Sequence, residues 1–587
     1  MKKKNIIAIL AAATICPMAG ADELNQTISI EKEEEVVEMK ADKMPTEPNA
    51  VEATVDSVRL EFSDRTVPVS VAPAILVKTP VRQADGFSFS TDNRGYAEFG
   101  MGNYLNMNGS AGYRFVDNGY TKLGAWLQHN STNGTIASSK KYFVEDRIAV
   151  DLQHRIAAKG ILTATAGYHF DKFNYYYYEK NLLPLPDKRQ TTNEASVDLK
   201  WTSWTSRDFS YKVGGTYNFF GNKLPFWDFI QESGQKGLKE HYFSVFGGIE
   251  AEMFSDSRLG IDLAYQQAIY TNALREAPYR FEDALRSTSN SLVTIAPYYL
   301  KQTETTELKI GARLDFSNRG TTFRIAPDVR FSHVFSSRFG VELSATGGNT
   351  LNTMTEIASR NRYLNPSAVP HPNSYTLVDA TARLNFGLWN GFSASPYVGF
   401  AVVKNALVPY VYGEFRFPID DNWLYVLPDA IAGTVSYVGH DMNGVKAGVD
   451  FTYKFHEKVE LRAGYMFTPQ GVESGYISAD DRPEHTVEAS LRVTPIKQLD
   501  LYAGYSFRSG RVVMGKFVTV DETSALTEYS NSSLGAVSDF SFGATYRINR
   551  MFHVYAEGYN LFNRRWQDYL GMYSQKANFI VGVGVKF

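Results

Sequence analysis

Ten histidines are spread singly from His129 to His553, and no two stand at a metal-ligand spacing. The densest group of donor side chains is "SADDRPEH" (478–485), where Asp480, Asp481, Glu484 and His485 could hold a calcium ion. The glycine and oxygen-ligand spacing of a defined calcium loop is missing there, so the stretch reads as a solvated surface loop. There is no Gly-x-Ser-x-Gly elbow and no phosphate-cradling Walker loop. Nothing in the chain selects one serine, one histidine and one acid as a set. The residues therefore point to no catalytic centre, no metal and no cofactor, and the chain is read as a non-enzyme. A net charge of −3 over 587 residues also argues against nucleic acid as a partner.

With no chemistry to position, the information lies in how the side chains alternate. "NFIVGVGVKF" ends the sequence with Phe579, Val581, Val583, Val585 and Phe587 on one face and mostly glycine on the other. "VELRAGYMFTP" sets Val459, Leu461, Ala463, Tyr465 and Phe467 against Glu460, Arg462, Gly464 and Met466. "LDLYAGYSFRS" (499–509) and "ILTATAGYHFD" (161–171) repeat the arrangement, and in each the apolar face runs into aromatics. This is the pattern of a strand facing lipid on one side and a wet lumen on the other. It recurs across roughly 500 residues, too many for one soluble core. No segment after the leader approaches the length of a transmembrane helix, so only a closed barrel satisfies the backbone in lipid. Asp151, Arg147, Arg462 and Asp500 fall on inward positions and read as bracing for a wide lumen.

Short polar turns alternate with long irregular connections. The short ones fall near 116–119, 157–160, 206–208, 255–257, 336–338, 389–391, 456–458, 495–498 and 548–550. Short turns at the periplasmic end and long loops outside are the habit of outer-membrane barrels. The predicted fold is all-β: a transmembrane antiparallel barrel over 86–587 of about 22 strands, within a range of about 18 to 24. The last strand is expected to close against the first near "GYAEFGMGN" (95–103).

The start of the chain is different. Lys2, Lys3 and Lys4, the apolar run Ile6–Ile15 and the small-x-small site Ala19-Gly20-Ala21 predict a signal peptide over 1–21, cleaved after Ala21. Cys16 is the sole cysteine, so the mature chain would hold no disulfide, iron–sulfur cluster or cysteine zinc site. Residues 22–85 are charged and then proline-spaced, with Pro68, Pro73 and Pro80 excluding a central strand. They are expected to form a flexible periplasmic segment that docks in the lumen or on another envelope protein.

One stretch carries a resemblance. Asn560-Leu561-Phe562-Asn563-Arg564-Arg565, followed by Trp566 in place of a tyrosine, resembles the near-terminal strand motif of TonB-dependent receptors. "RFGVELSATGGNTLNTMTEIASRNRYLNP" (338–366) is similar to the mid-barrel region of that family, and the likeness covers about residues 94–587. It implies a protein of the Gram-negative outer membrane that takes part in uptake across it. The terminal aromatic strand also resembles the signal read by the outer-membrane insertion machinery, with outer-membrane lipid as its solvent. The family's globular plug carries an Ile-Glu-Val-x-x-Gly-Pro run and a Leu-Tyr-Gly, and neither is present. "EEEVVEMKA" (33–41) looks like a TonB box, but without a plug to pull, coupling to TonB stays doubtful. The alternatives are a non-transporting accessory or scaffold subunit of an outer-membrane complex, and an open porin. What fills the lumen separates the three.

Overall fold

A computed structural model describes residues 93–587, apart from 137–138, 157–158, 176–188, 204–208, 224–235, 255, 272–288, 365–371, 390, 420–421, 427–433, 456–457, 473–482, 521–524 and 570–571. The signal peptide with Ala19 and Ala21, the segment 22–85, the stretch 33–41 and the pair Asp480 and Asp481 lie outside the described residues.

The period-two alternation becomes strand wherever it was read. One continuous sheet holds 26 strands, and 22 of them form a closed antiparallel ring. Each ring strand pairs with its neighbours in the chain, from β1 (Gly95–Gly102) round to β22 (Asn578–Lys586). The ring then closes on itself: Tyr96 faces Lys586, Phe99 faces Val583 and Gly102 faces Ile580. Gly95 and Phe587 exchange both backbone hydrogen bonds, at 2.7 and 2.9 Å. Among the described residues no sheet edge is left in the lipid-facing wall, which is what a hydrocarbon solvent demands. Short pieces at 422–426, 470–472, 512–520 and 525–533 extend the sheet beyond the ring.

The facing of β22 follows the sequence reading. Phe579, Val581 and Val583 are 53%, 64% and 60% exposed, whereas Ile580 is 4% exposed. Water would not tolerate so regular an apolar exterior, and lipid requires it. At the short-turn end the outward aromatics cluster: Tyr113 lies 5.3 Å from Phe115 and 6.2 Å from Phe587, and Phe339 lies 5.2 Å from Phe335 and 5.5 Å from Phe386. That is an interfacial girdle, and Phe587 belongs to it.

The inner face of β22 departs from the simplest expectation. Glycines on an inward face leave room for a loop or a peptide to approach the wall. Instead, two side chains of the adjacent strand β21 (Phe552–Tyr559) lie over them. A Cβ at Gly582 would collide with the Tyr555 ring and the Phe99 carbonyl oxygen, and one at Gly584 with the His553 ring. The glycines make room for cross-strand rings, so the seam is packed rather than wet.

This packing changes what substitution at the seam should do. Val583→Lys, near mid-membrane on the lipid face, should cost about 2–4 kcal/mol. Gly582→Ala should also impair folding, because its methyl meets a ring and a backbone oxygen. Val583→Ala, by contrast, should fold. Heat-modifiable gel migration separates these outcomes, and a well-folded Gly582→Ala would show the seam to be looser than described.

Candidate functional site

A 22-strand ring encloses a lumen far wider than its own side chains can fill. The described residues show what occupies its long-loop end. The connection between β13 (Phe339–Thr350) and β14 (Ser374–Trp389) turns inward and carries the helix α1 (Met354–Arg360). The helix starts where its sequence says it should. Thr353 caps it by accepting from the Glu356 N–H at 3.1 Å, and Glu356 pairs with Arg360 one turn on at 2.5 Å. Met354 and Ile357, three residues apart, present one apolar stripe and are 1% exposed.

That stripe lies in a hydrophobic core built inside the barrel. Phe173 at the end of β5 (Gly160–Asn174), Phe220 on β7 (Phe209–Asn222), Tyr270 on β9 (Ser257–Thr271) and Leu292 on β10 (Ser289–Gln302) supply its wall side. Tyr569 and Met572, from the connection between β21 and β22, complete it. Arg511 ties that connection down, its guanidinium donating to the Gln567 and Asp568 carbonyls at 2.7 Å each.

Polar contacts fix the inward segment to the wall at two places. The first is Glu240 on β8 (Lys239–Phe254), which is fully buried. Its carboxylate accepts from the Met354 N–H at 2.6 Å, the Thr355 N–H at 3.2 Å and the Thr355 hydroxyl at 3.1 Å. These are N–H groups that a helix start leaves without intrahelical partners. The second is Arg362, just past the helix. Its guanidinium reaches Glu145 Oε2 on β4 (Ser139–Ile156) at 2.6 Å and Asp171 Oδ2 on β5 at 3.2 Å, and stands 4.1 Å over the Phe143 ring. Burial opposes the Arg362 charge, but Asp171 and Glu145 raise its pKa above the ordinary arginine value. Arg147 and His169 complete the Glu145 carboxylate's surroundings at 2.7 and 3.4 Å. The backbone beyond is held too: Tyr175 OH donates to the Leu364 carbonyl at 3.1 Å, and the Val435 N–H to the Tyr363 carbonyl at 2.9 Å.

Between this segment and the wall lies a small, partly open cleft, with room for little more than a water molecule or two, lined on its polar side by His169, Asp171, Gln190, Thr192, Glu194 and Arg362. Carboxylates, an imidazole, amides and a guanidinium converge there, so it can hold polar groups by hydrogen bonds of either sense.

The residues singled out from sequence fall elsewhere. Asn560 and Asn563, both at positive φ (49° and 54°), turn the chain out of β21. Asn560 Nδ2 donates to the carbonyls of Arg564 and Gln575 at 2.5 and 2.8 Å, and its side-chain oxygen accepts from the Arg564 N–H at 3.1 Å. The Leu561 N–H donates to the Phe540 carbonyl at 2.9 Å, and the Phe562 ring stacks on Phe540 at 5.4 Å. Arg564 and Arg565 are exposed. The motif is thus a staple for the last long loop. Of the inward charges, Asp500 pairs with Arg547, Arg462 with Glu460 at 2.7 Å and Arg147 with Glu145, while Asp151 accepts from Trp126 and Thr165.

Among the described residues no group of histidines and carboxylates could hold a metal ion. One serine, histidine and acid do meet: His129 lies 2.7 Å from Asp146 Oδ1 and 3.0 Å from Ser131 Oγ. They sit mid-ladder, where neighbouring backbone N–H groups are committed to β2 (Met107–Asp117) and β4, leaving no donors for an oxyanion. Arg362, Glu240, Glu145 and Asp171 were not singled out from sequence. The Thr-x-x-Glu capping pattern at 353–356 was the one local signal that could have found the helix.

No protein-family model matches the chain, and no curated protein matches it in sequence. Solved structures do match. The siderophore receptor PirA from Acinetobacter baumannii is similar with a TM-score of 0.62 at 9% identity, over 85% of this chain and 81% of that one. The ferric enterobactin receptor PfeA from Pseudomonas aeruginosa, as a double mutant, gives 0.59 at 13% identity over 85% and 81%. The pyoverdine outer membrane receptor FpvA from Pseudomonas aeruginosa PAO1, bound to pyoverdine, gives 0.57 at 11% over 85% and 79%. At such identities the likeness is one of fold.

The Glu240 contact is open to a direct check. Glu240→Ala removes the acceptor of two helix N–H groups and a hydroxyl, and should destabilise the loop-filled end by about 1–3 kcal/mol. The ring itself should stay folded. Limited proteolysis of the intact barrel should then cut within 351–364 in the variant and not in wild type.

Proposed function

We propose that this chain is an outer-membrane barrel of the TonB-dependent receptor type, taking part in uptake across the outer membrane of a Gram-negative bacterium. The observation that carries the reading is the closed 22-strand ring whose long-loop end is packed by the chain's own loops around a polar cleft. A plain open porin would leave that end empty. The fold neighbours are siderophore receptors, and we take an iron chelate as the cargo class for this chain. Outer-membrane lipid would contact the apolar exterior. The insertion machinery would read the terminal strand through Phe579, Val581, Val583, Val585 and Phe587. Residues 22–85 would lie on the periplasmic side and dock in the lumen mouth or on another envelope protein.

Two measurements test this. Detergent-purified barrel should quench its own tryptophan fluorescence on titration with one of a panel of ferric catecholates, hydroxamates and mixed chelates, and a deletion strain should lose uptake of that same chelate. If no chelate binds, uptake is unchanged, and the barrel instead purifies in fixed ratio with another envelope protein, the scaffold reading replaces this one. For assembly, deleting Phe587 should lower the folded, membrane-inserted yield several-fold more than shortening 511–530. Equal losses would deny the terminal residue a special role.

A further inference from the structure

The inward segment 351–364 leaves the wall between β13 and β14, yet its polar partners sit on β4, β5 and β8. Arg362 and Glu145 are 217 residues apart in sequence. In a ring of 22, β14 and β5 are nine places apart, close to diametrically opposite. A segment anchored between β13 and β14 that forms ion pairs on β4 and β5 reaches past nine strands of the ring at its long-loop end. It does so as a packed body: Met354, Ile357 and Tyr363 are at most 3% exposed, in one core with side chains of β5, β7, β9 and β10. Tyr569 and Met572 meet the same core from the β21–β22 side.

We infer that residues 351–364 are a built-in stopper for the lumen, and that the Arg362 ion pairs with Glu145 and Asp171 are the latch that keeps it across. This goes beyond the uptake reading and does not depend on which cargo, if any, the barrel carries. The latch is placed where it matters. The near end of the segment is covalently fixed to β13, and Glu240 holds the helix start part-way along. Among the described residues, the polar contacts that hold the far end are the Arg362 ion pairs and the Tyr175–Leu364 and Val435–Tyr363 hydrogen bonds beside them, and Tyr363 and Leu364 add their packing in the core. Replacing Arg362 removes the cation that bridges Glu145 and Asp171. Glu145 keeps Arg147 and His169, but the buried Asp171 loses its ion pair, which costs the closed arrangement stability and releases the far end.

The test is conductance of the full-length chain in planar bilayers, with heat-modifiable migration confirming that each variant is folded. Wild type should be closed or nearly so. Arg362→Ala should raise mean conductance at least tenfold, and Arg362→Lys, which keeps the charge but not the fork, should fall between. If Arg362→Ala is folded and as closed as wild type, the latch is refuted. If deleting 22–85 opens the pore while Arg362→Ala does not, that segment is the stopper instead. Should Arg362→Ala fail to fold, Glu145→Gln decides. A cysteine at Ala358, labelled on intact cells with an impermeant maleimide, should react at least tenfold faster in the Glu145→Gln background, and an unchanged rate overturns the proposal. The chain without the Ala358 change controls for Cys16.

Discussion

Everything in this molecule depends on one constraint: a backbone in hydrocarbon must find all its hydrogen-bond partners within the protein. The seam where Gly95 and Phe587 exchange hydrogen bonds meets that constraint for the whole ring, because without it two strand edges would face lipid. The sequence at the seam is shaped accordingly. Gly582 and Gly584 allow the Tyr555 and His553 rings to lie across the joint from inside, and Phe587 adds its ring to Tyr113 from outside. The joint is thus clamped on both faces by aromatic side chains, while the strand between them keeps an apolar exterior.

Closure has a second consequence. A ring of 22 strands has its apolar surface on the outside, so the usual place for a hydrophobic core is missing. The chain builds its core inside the mouth, from loops. Burying loops brings backbone groups that need partners, and these come from wall carboxylates and side chains: Glu240 for the helix start, Tyr175 for the Leu364 carbonyl and Arg511 for the Gln567 and Asp568 carbonyls. The inward charges are therefore of two kinds. Low in the barrel they pair with each other across strands, as Asp500 does with Arg547 beside the short turns. At the mouth they reach from the wall to the loops, and there they decide whether the lumen is open.

Much of the wall was legible in the sequence because period-two alternation is a local signal. The strand type, the outward faces of Val459–Phe467 and Asn578–Lys586, the partner of the last strand and the count of 22 all follow from it. The turn at 303–305, Thr-Glu-Thr, was not among those read from the sequence. It is closed by Thr303, whose hydroxyl accepts from the Thr306 N–H at 3.0 Å. The mouth was far less legible. Arg362 finds Glu145 across 217 residues, and no local pattern announces a contact of that range. The helix at 354–360 did announce itself through Thr353 and Glu356, but its surroundings read as barrel, and the wider pattern masked the cap. Asn560 shows the opposite case: its motif was visible, yet its role is to staple a loop.

The closed ring is the claim on which the lumen, the core and the stopper all rest, and the seam offers the most direct measurement of it. Tyr96 and Lys586 are directly opposed, next to the hydrogen-bonded pair Gly95 and Phe587, so they form the close, non-hydrogen-bonded kind of pair whose Cβ atoms approach within disulfide reach. Cysteines at these two positions in the membrane-embedded protein should oxidise to an intramolecular disulfide. A cysteine pair at Tyr96 and Ile580, on the same inward face but six places along the register, should not. If the Tyr96 and Lys586 cysteines of a folded barrel stay unlinked, or link only between molecules, the first and last strands do not meet and the ring is not closed as described.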